Sequence, residues 1–162
     1  MKFERMYSNV YYAWVENTEL LVSNPNQYWK SLTNYFMVRS VKKEPVPYFR
    51  WHVGGDIPDS EYLLRMTAMA ALFPETRFLA FTKKYDIVQN LAWLPDNLRI
   101  VLSAWPGLAL PENPKYPVAW FRDPDQPDPR IPLNAMKCPD GCSQCHLCWR
   151  LKDNQSVVFE KH

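Results

Sequence analysis

"YFRWHVGGDIPDSEYLLRMTAMAALFPETRFLAFT", residues 48–82, is the stretch of sequence that decides the fold. Residues 48–53 are mostly aromatic or β-branched and predict a strand. Residues 60–73 have apolar side chains at helical spacing behind Asp59, a typical N-cap, and residues 76–82 again have the composition of a strand. A strand, a helix and a second strand in this order predict one βαβ unit, in which the two strands are parallel.

The same alternation continues in the residues that follow. Residues 86–94 predict a short helix, and residues 98–105 and 117–121 predict two further strands. Strands that alternate with helices indicate an α/β fold with a small, mostly parallel sheet and right-handed crossovers. The segment that ends at Pro132 is rich in proline, and we expect a loop there because proline disfavours both helices and central strands.

Two helices are predicted ahead of the sheet. Residues 9–23 have apolar side chains at steps of three and four, and residues 24–41 repeat this pattern behind Asn24 and Pro25, which suit a helix start. We therefore interpret the chain as one α/β domain. Its three parts are a helical N-terminal part (1–46), the βα units (47–123), and a Pro-rich loop with a cysteine cluster (124–162).

The composition is that of a globular protein. The chain has 162 residues, of which 47% are hydrophobic and 15% aromatic, enough for one domain with a buried core. The net charge is +2, so a nucleic-acid partner is neither required nor excluded. No apolar run has the length of a membrane span, and residues 1–10 do not resemble a secretory signal. We expect a cytoplasmic protein without a membrane partner.

All cysteines of the chain lie in "CPDGCSQCHLCW", residues 138–149, as Cys138, Cys142, Cys145 and Cys148. In a reducing cytosol, clustered thiols more often bind metal or carry out redox chemistry than form disulfides. Four thiolates suit a [4Fe-4S] cluster or a zinc ion, and the close spacing favours the cluster over zinc. His146 is a further candidate ligand. Disulfides or free thiols are the remaining alternatives.

A second candidate site lies where the predicted strands end. Ligands of parallel α/β sheets bind at the carboxyl ends of the strands, where loops converge. The tentative ligand-binding residues there are His52, Gly54, Gly55, Asp56, Thr82 and Lys83. Glycines allow a ligand to approach the backbone closely, and the polar side chains can orient a small molecule. The alternative interpretation is turn and helix-cap chemistry without a ligand.

The motifs "YFRWHVGGDIPDSEYL", "FPETRFLAFTKKYD", "CPDGCSQCHLCW" and "VVFEKH" resemble the gene-product-88 family of phages and mobile elements, from about Tyr7 onward. Its members look like shortened relatives of radical S-adenosylmethionine enzymes. The resemblance implies a partial β/α barrel and S-adenosylmethionine as a candidate ligand. It also implies that Gly54, Gly55 and Asp56 correspond to the segment that contacts the methionine amino group.

The same resemblance implies that the chain is shortened at its N-terminus, because fuller members carry another cysteine motif ahead of the region matching "MKFERMYSNV". The fourth thiol, Cys148, favours a closed, fully ligated site over a catalytic cluster with an open iron. The sequence thus predicts an iron-sulfur protein related to radical enzymes, which as a shortened chain can be inactive. The alternative is a zinc-stabilised binding protein without a reaction, so the sequence leaves open whether the protein is an enzyme.

Overall fold

A computed structural model of the protein describes residues 8–52 and 54–161. They fall into two compact units, one that ends at Val46 and one that begins at Pro47. Within the described residues, no helix combines the length and the apolar character that a membrane crossing requires.

The N-terminal unit contains two helices, α1 (Ser8–Ser23) and α2 (Pro25–Val41). Asn24 separates them, and its side-chain oxygen accepts a hydrogen bond of 3.1 Å from the backbone N–H of Gln27. Pro25 occupies the first turn of α2, where its missing N–H has no intrahelical acceptor to lose. Both predicted helices and the predicted cap are confirmed.

The C-terminal unit is built on a sheet of six strands in the order β1-β2-β3-β4-β6-β5, and all five neighbouring pairs are parallel. The strands are β1 (Tyr48–Trp51), β2 (Arg77–Thr82), β3 (Leu98–Ala104), β4 (Val118–Arg122), β5 (Met136–Lys137) and β6 (Ser156–Glu160). The helices are α3 (Ser60–Leu72), α4 (Tyr85–Gln89) and α5 (Cys142–Cys145), followed by a 3₁₀ turn (Cys148–Arg150). The α/β class and the mostly parallel sheet are therefore confirmed.

The structure differs from the sequence prediction in three elements, one helix and two strands. The fourth helix ends at Gln89 and not at residue 94, because the Asn90 side chain donates a hydrogen bond of 2.8 Å to the Asp86 carbonyl and ends the turn. Strands β5 and β6 were not predicted. β5 has only two residues and β6 five, so neither shows a periodic pattern long enough to recognise.

One face of the sheet packs against α3. Asp59 caps this helix by accepting a hydrogen bond of 2.8 Å from the Tyr62 N–H, as predicted. Tyr62, Leu63 and Met66 are buried, and the Tyr62 ring lies 6.2 Å from the ring of Trp51 in β1. The apolar stripe of α3 thereby covers the strand pair that the sequence predicted as one βαβ unit.

The opposite face, which we call the cysteine face, packs against the C-terminal segment. Parallel partners point to the same side of a sheet, so the pairs Arg50–Leu79, Phe81–Val101 and Phe121–Phe159 lie on one face. The buried residues of this face form one core cluster with the segment that follows β5. The cluster contains Leu79, Val101, Ala119, Cys138, Cys148, Leu151 and Val157.

Candidate functional site

The four cysteines lie in the connection between β5 and β6, which we call the cysteine segment (residues 138–151). Cys138 follows β5 directly, and its N–H donates a hydrogen bond of 2.9 Å to the Val158 carbonyl of β6. Cys142 and Cys145 are the first and last residues of α5, and Cys148 begins the 3₁₀ turn. The thiols are thus positioned by the end of β5, by the single turn of α5 and by the 3₁₀ turn, all within a segment that crosses the cysteine face.

The four thiols are free, and all four line one small cavity of about 10 Å³. This volume is about that of a single water-sized sphere. Cys138 and Cys148 are buried, Cys145 is half-buried and Cys142 is exposed. The described lining of the cavity comes from the cysteine segment itself, with the exposed Cys142 on its solvent side.

Burial raises the pKa of the two buried thiols, Cys138 and Cys148. It raises the pKa of Cys148 to about 12, with a further contribution from the other three cysteines and a small opposing effect of the Arg50 charge. Burial also raises the pKa of Cys138. Without a metal both groups are protonated at neutral pH, so a metal that binds here must displace protons.

Among the residues that the structure describes, no three His, Cys, Asp or Glu side chains converge in an arrangement that could hold a metal ion. The C-terminal metal-binding loop that formed part of the sequence prediction is therefore not supported by the geometry as it stands. The donor set still fits the group, since four soft sulfur atoms around one cavity suit zinc or an iron-sulfur cluster. Metal binding by these residues stays a prediction.

His146 and Trp149 attach the cysteine segment to β1, the terminal strand of the sheet order. The His146 ring stacks on Tyr48, with ring centroids 3.9 Å apart and planes within 9°. The indole N–H of Trp149 donates a hydrogen bond of 3.4 Å to the Phe49 carbonyl of β1. His146 thus has a packing role that is independent of metal binding.

The polar residues predicted at the strand ends meet, but they bond to one another. The Thr82 hydroxyl donates a hydrogen bond of 2.6 Å to one oxygen of Asp56, and the Lys83 N–H donates one of 2.8 Å to the other. The Ile57 N–H donates a third, of 2.7 Å. Asp56 therefore ties the loop after β1 to the end of β2. Gly54 and Gly55 are exposed, and the ligand role of this group stays a prediction.

His52 lies at the end of β1 in a left-handed backbone conformation, with φ of 52°. Its Nε2 is 3.1 Å from the Tyr62 hydroxyl, while its Nδ1 is buried and has no hydrogen-bond partner among the described residues. Burial lowers the pKa of His52, and the nearby Asp56 charge opposes this effect in part. The ring is therefore held as a neutral imidazole between β1 and α3.

A cavity of about 220 Å³ lies between the cysteine face and the cysteine segment. The sheet lines it with Arg50, Phe81 and Phe121, and the segment lines it with Cys142, Cys148 and Trp149. None of the six residues predicted at the strand ends belongs to its described lining. The alternation of side chains along each strand is visible in the sequence and shows which sheet residues share a face. The sequence does not show which of the two faces lies under the cysteine segment, and the cavity forms on that face.

Of the six residues predicted at the strand ends, Lys83 contacts a side chain that lines this cavity, that of Trp105. The Trp105 ring lines the cavity and stacks on Phe121, with centroids 4.2 Å apart and planes within 3°. The Lys83 ammonium lies 4.7 Å above the Trp105 ring, close enough for a cation–π interaction. Lys83 is thus the predicted residue that contacts the wall of the cavity.

A sequence model of the family described as gene product 88 matches residues 1–151, which is most of the chain and includes all four cysteines. The chain belongs to the gene product 88 family. No curated protein and no solved structure matches the chain. Membership in the gene product 88 family confirms that part of the resemblance, whereas the relationship to radical S-adenosylmethionine enzymes stays a prediction.

Proposed function

We propose that this gene product 88 family member binds a metal centre through Cys138, Cys142, Cys145 and Cys148. The observation that carries the proposal is that the four cysteines of the sequence are free and line one cavity on a parallel sheet. The expected setting is the reducing cytosol in which a phage or mobile-element protein would keep its thiols unoxidised.

An iron-sulfur cluster is the first candidate for this centre. The run Cys138-x3-Cys142-x2-Cys145-x2-Cys148 is as dense as the runs that bind four-iron clusters, which supply one-electron transfer when bound. Such a cluster is larger than the cavity, so α5 would have to move outward to admit it. Cys142 is exposed and begins this helix of only four residues, which supports such a movement.

A single zinc ion is the second candidate, and the cavity volume favours it. A space of about 10 Å³ is closer to the size of one ion than to that of a cluster, and the four thiols would still have to converge to bind the ion. Zinc bound by four thiolates would fix the cysteine segment on the sheet, and the protein would then be a zinc-stabilised binding protein without a reaction. The two candidates use the same four ligands and differ in what the purified protein contains.

S-adenosylmethionine is a further candidate ligand, through the relationship to radical enzymes. The three hydrogen bonds that Asp56 already accepts leave room for about one more donor on its carboxylate. Recognition of an amino group there is therefore limited to a single bond. Calorimetry with S-adenosylmethionine tests this ligand separately from the metal. Absence of binding to the metal-loaded protein would exclude S-adenosylmethionine as a ligand.

The metal content of anaerobically purified and reconstituted protein tests the proposal. A cluster gives brown protein with broad absorption at about 400 nm and with iron and sulfide in equal amounts. Zinc gives colourless protein with one metal ion per chain. Cys142→Ser and Cys145→Ser should lose the metal, and they are chosen because these thiols are not part of the buried core.

His146→Asn is the matched control, because asparagine tolerates the left-handed backbone of this position and removes the imidazole. We expect this variant to keep the full metal content. Protein that retains neither iron nor stoichiometric zinc after reconstitution would overturn the proposed function. Full metal retention in both cysteine variants would overturn the assignment of the ligands.

A further inference from the structure

The cavity of about 220 Å³ on the cysteine face has the position and the size of a small-molecule site. Phe81 is the residue before the last of β2, Ser103 has the same place in β3, and Trp105 follows β3, so the cavity lies at the carboxyl ends of the strands. Ligands of parallel sheets bind at this edge. The cavity's volume is far larger than that of the cavity lined by the four thiols and suits a compact molecule of one or two rings.

The walls of the cavity are largely aromatic. Phe81, Phe121 and Phe159 project from three strands onto the cysteine face and are only half-buried, although they lie under the cysteine segment. Trp105 and Phe121 stack on one another, parallel within 3°, and the charged groups of Arg50 and Lys83 lie over the rings of Phe81 and Trp105. Aromatic walls favour an aromatic ring as the occupant, through stacked or edge-to-face contacts.

Among the described residues that line the cavity, Arg50 is the one with a formally charged side chain. Its guanidinium lies 4.7 Å from the centre of the Phe81 ring, which holds it over the apolar wall. The ion pairs between described residues do not include Arg50, so no carboxylate of the described chain neutralises it. An unpaired guanidinium beside an apolar wall suits a carboxylate, which it can bind through two parallel hydrogen bonds.

We propose that this cavity binds a small planar aromatic carboxylate, with the ring against the aromatic walls and the carboxylate on Arg50. The Lys83 ammonium above Trp105 adds a second positive charge at the rim and favours the same class of ligand. Because Cys142 and Cys148 line the cavity, the bound ring lies next to the thiols of the proposed metal centre. The inference does not depend on that centre.

Binding of naphthalene carboxylate to the full chain tests the proposal, with the neutral naphthalene methanol as the matched probe. The indole N–H signals of Trp105 and Trp149 should shift in nitrogen–proton correlation spectra. The signal of Trp93, which is 62% exposed and does not line the cavity, should stay in place. The carboxylate should bind at least roughly tenfold more tightly than the alcohol, since a charged pair of hydrogen bonds distinguishes them.

Arg50→Gln should weaken binding of the carboxylate by roughly tenfold or more and leave binding of the alcohol unchanged. Arg77→Gln, at an exposed arginine on the neighbouring strand, should change neither. Ser103→Leu places a larger side chain in the cavity and should abolish binding of both probes. Wild-type protein that binds neither probe, or an Arg50→Gln variant that binds both as the wild type does, would overturn the proposal.

Discussion

At the scale of single residues, hydrogen bonds to Asp56 connect the loop after β1 with the end of β2. Asp56 accepts hydrogen bonds from Thr82, Lys83 and Ile57, and so joins two chain segments that are 26 residues apart. Thr82 is 1% exposed, so its hydroxyl would lose a partner that water cannot replace. Asp56 and Thr82, which sequence reasoning assigned to a ligand, therefore have a structural role.

Asp56→Ala should lower the free energy of unfolding by about 2 kcal/mol, because it leaves the buried Thr82 hydroxyl and two backbone N–H groups, those of Ile57 and Lys83, without their acceptor. Urea denaturation measures the change. Asp96→Ala removes an exposed aspartate and should stay within about 0.5 kcal/mol of the wild type. Equal stability of the two variants would show that the Asp56 hydrogen bonds do not contribute.

His52 should make the stability depend on pH. Burial lowers its pKa in the folded protein below the ordinary 6.5, so the unfolded chain binds the proton more readily. The stabilisation is complete above about pH 6.5 and decreases as the pH falls from there through the folded-state pKa. His52→Asn, which tolerates the φ of 52°, should show a shallower decrease in unfolding free energy between about pH 7 and pH 5. Identical slopes for wild type and variant would contradict this origin.

At the scale of elements, the cysteine segment is a cover that cannot be stable by itself. Its helix α5 has four residues and its 3₁₀ turn has three, far fewer than an isolated helix requires. Packing on the sheet holds it, through Cys138, Cys148 and Leu151 in the core cluster and through His146 and Trp149 on β1. The cavity and the proposed metal centre both depend on this packing.

Leu151→Ala should lower the free energy of unfolding by about 2 to 5 kcal/mol, because a fully buried side chain leaves a void under the segment. Leu133→Ala is the matched control. Leu133 has a relative exposure of 107%, so its truncation should change the stability by less than about 0.5 kcal/mol. Chemical denaturation of both variants measures the difference, and a Leu151→Ala variant as stable as its control would show that the segment does not pack as described.

At the scale of the whole molecule, the C-terminal unit is a parallel sheet with a different cover on each face. Helix α3 covers one face through regular packing, whereas the cysteine segment covers the other with little regular structure. Any centre bound by the four cysteines therefore acts on the folding of the entire unit. Its free energy of binding adds to the free energy of folding.

Removal of the metal with a chelator should lower the unfolding midpoint of the protein. Metal at about 1,000 times its dissociation constant stabilises a folded state by about 4 kcal/mol, and this contribution is lost on chelation. Cys145→Ser, which should not bind the metal, is expected to show no response to the chelator. Thermal unfolding followed by circular dichroism measures both, and a wild-type midpoint that chelation leaves unchanged would contradict a stabilising metal.

The sequence by itself determined the features that depend on neighbouring residues. The apolar spacing of residues 60–73, the caps Asn24 and Asp59, and the strand composition around residue 48 are local, and each is found in the structure. The family motifs are likewise linear patterns, and the match over residues 1–151 confirms those that lie within it, whereas "VVFEKH" lies beyond the matched residues. The α/β class follows because alternating strands and helices have few other ways to bury their apolar sides.

Only the tertiary structure decided which residues share a site. The hydrogen bonds from Thr82 and Lys83 to Asp56 join positions 26 and 27 residues apart. They occupy acceptor sites of the carboxylate that the sequence analysis assigned to a ligand. Arg50 lines a cavity with Cys148, which is nearly a hundred residues later in the chain. Such contacts depend on the position of β6 between β4 and β5. The cysteine segment connects β5 to β6 and therefore crosses one face of the sheet. Two short strands decide that insertion, and their pairing is non-local, so no local pattern predicts it.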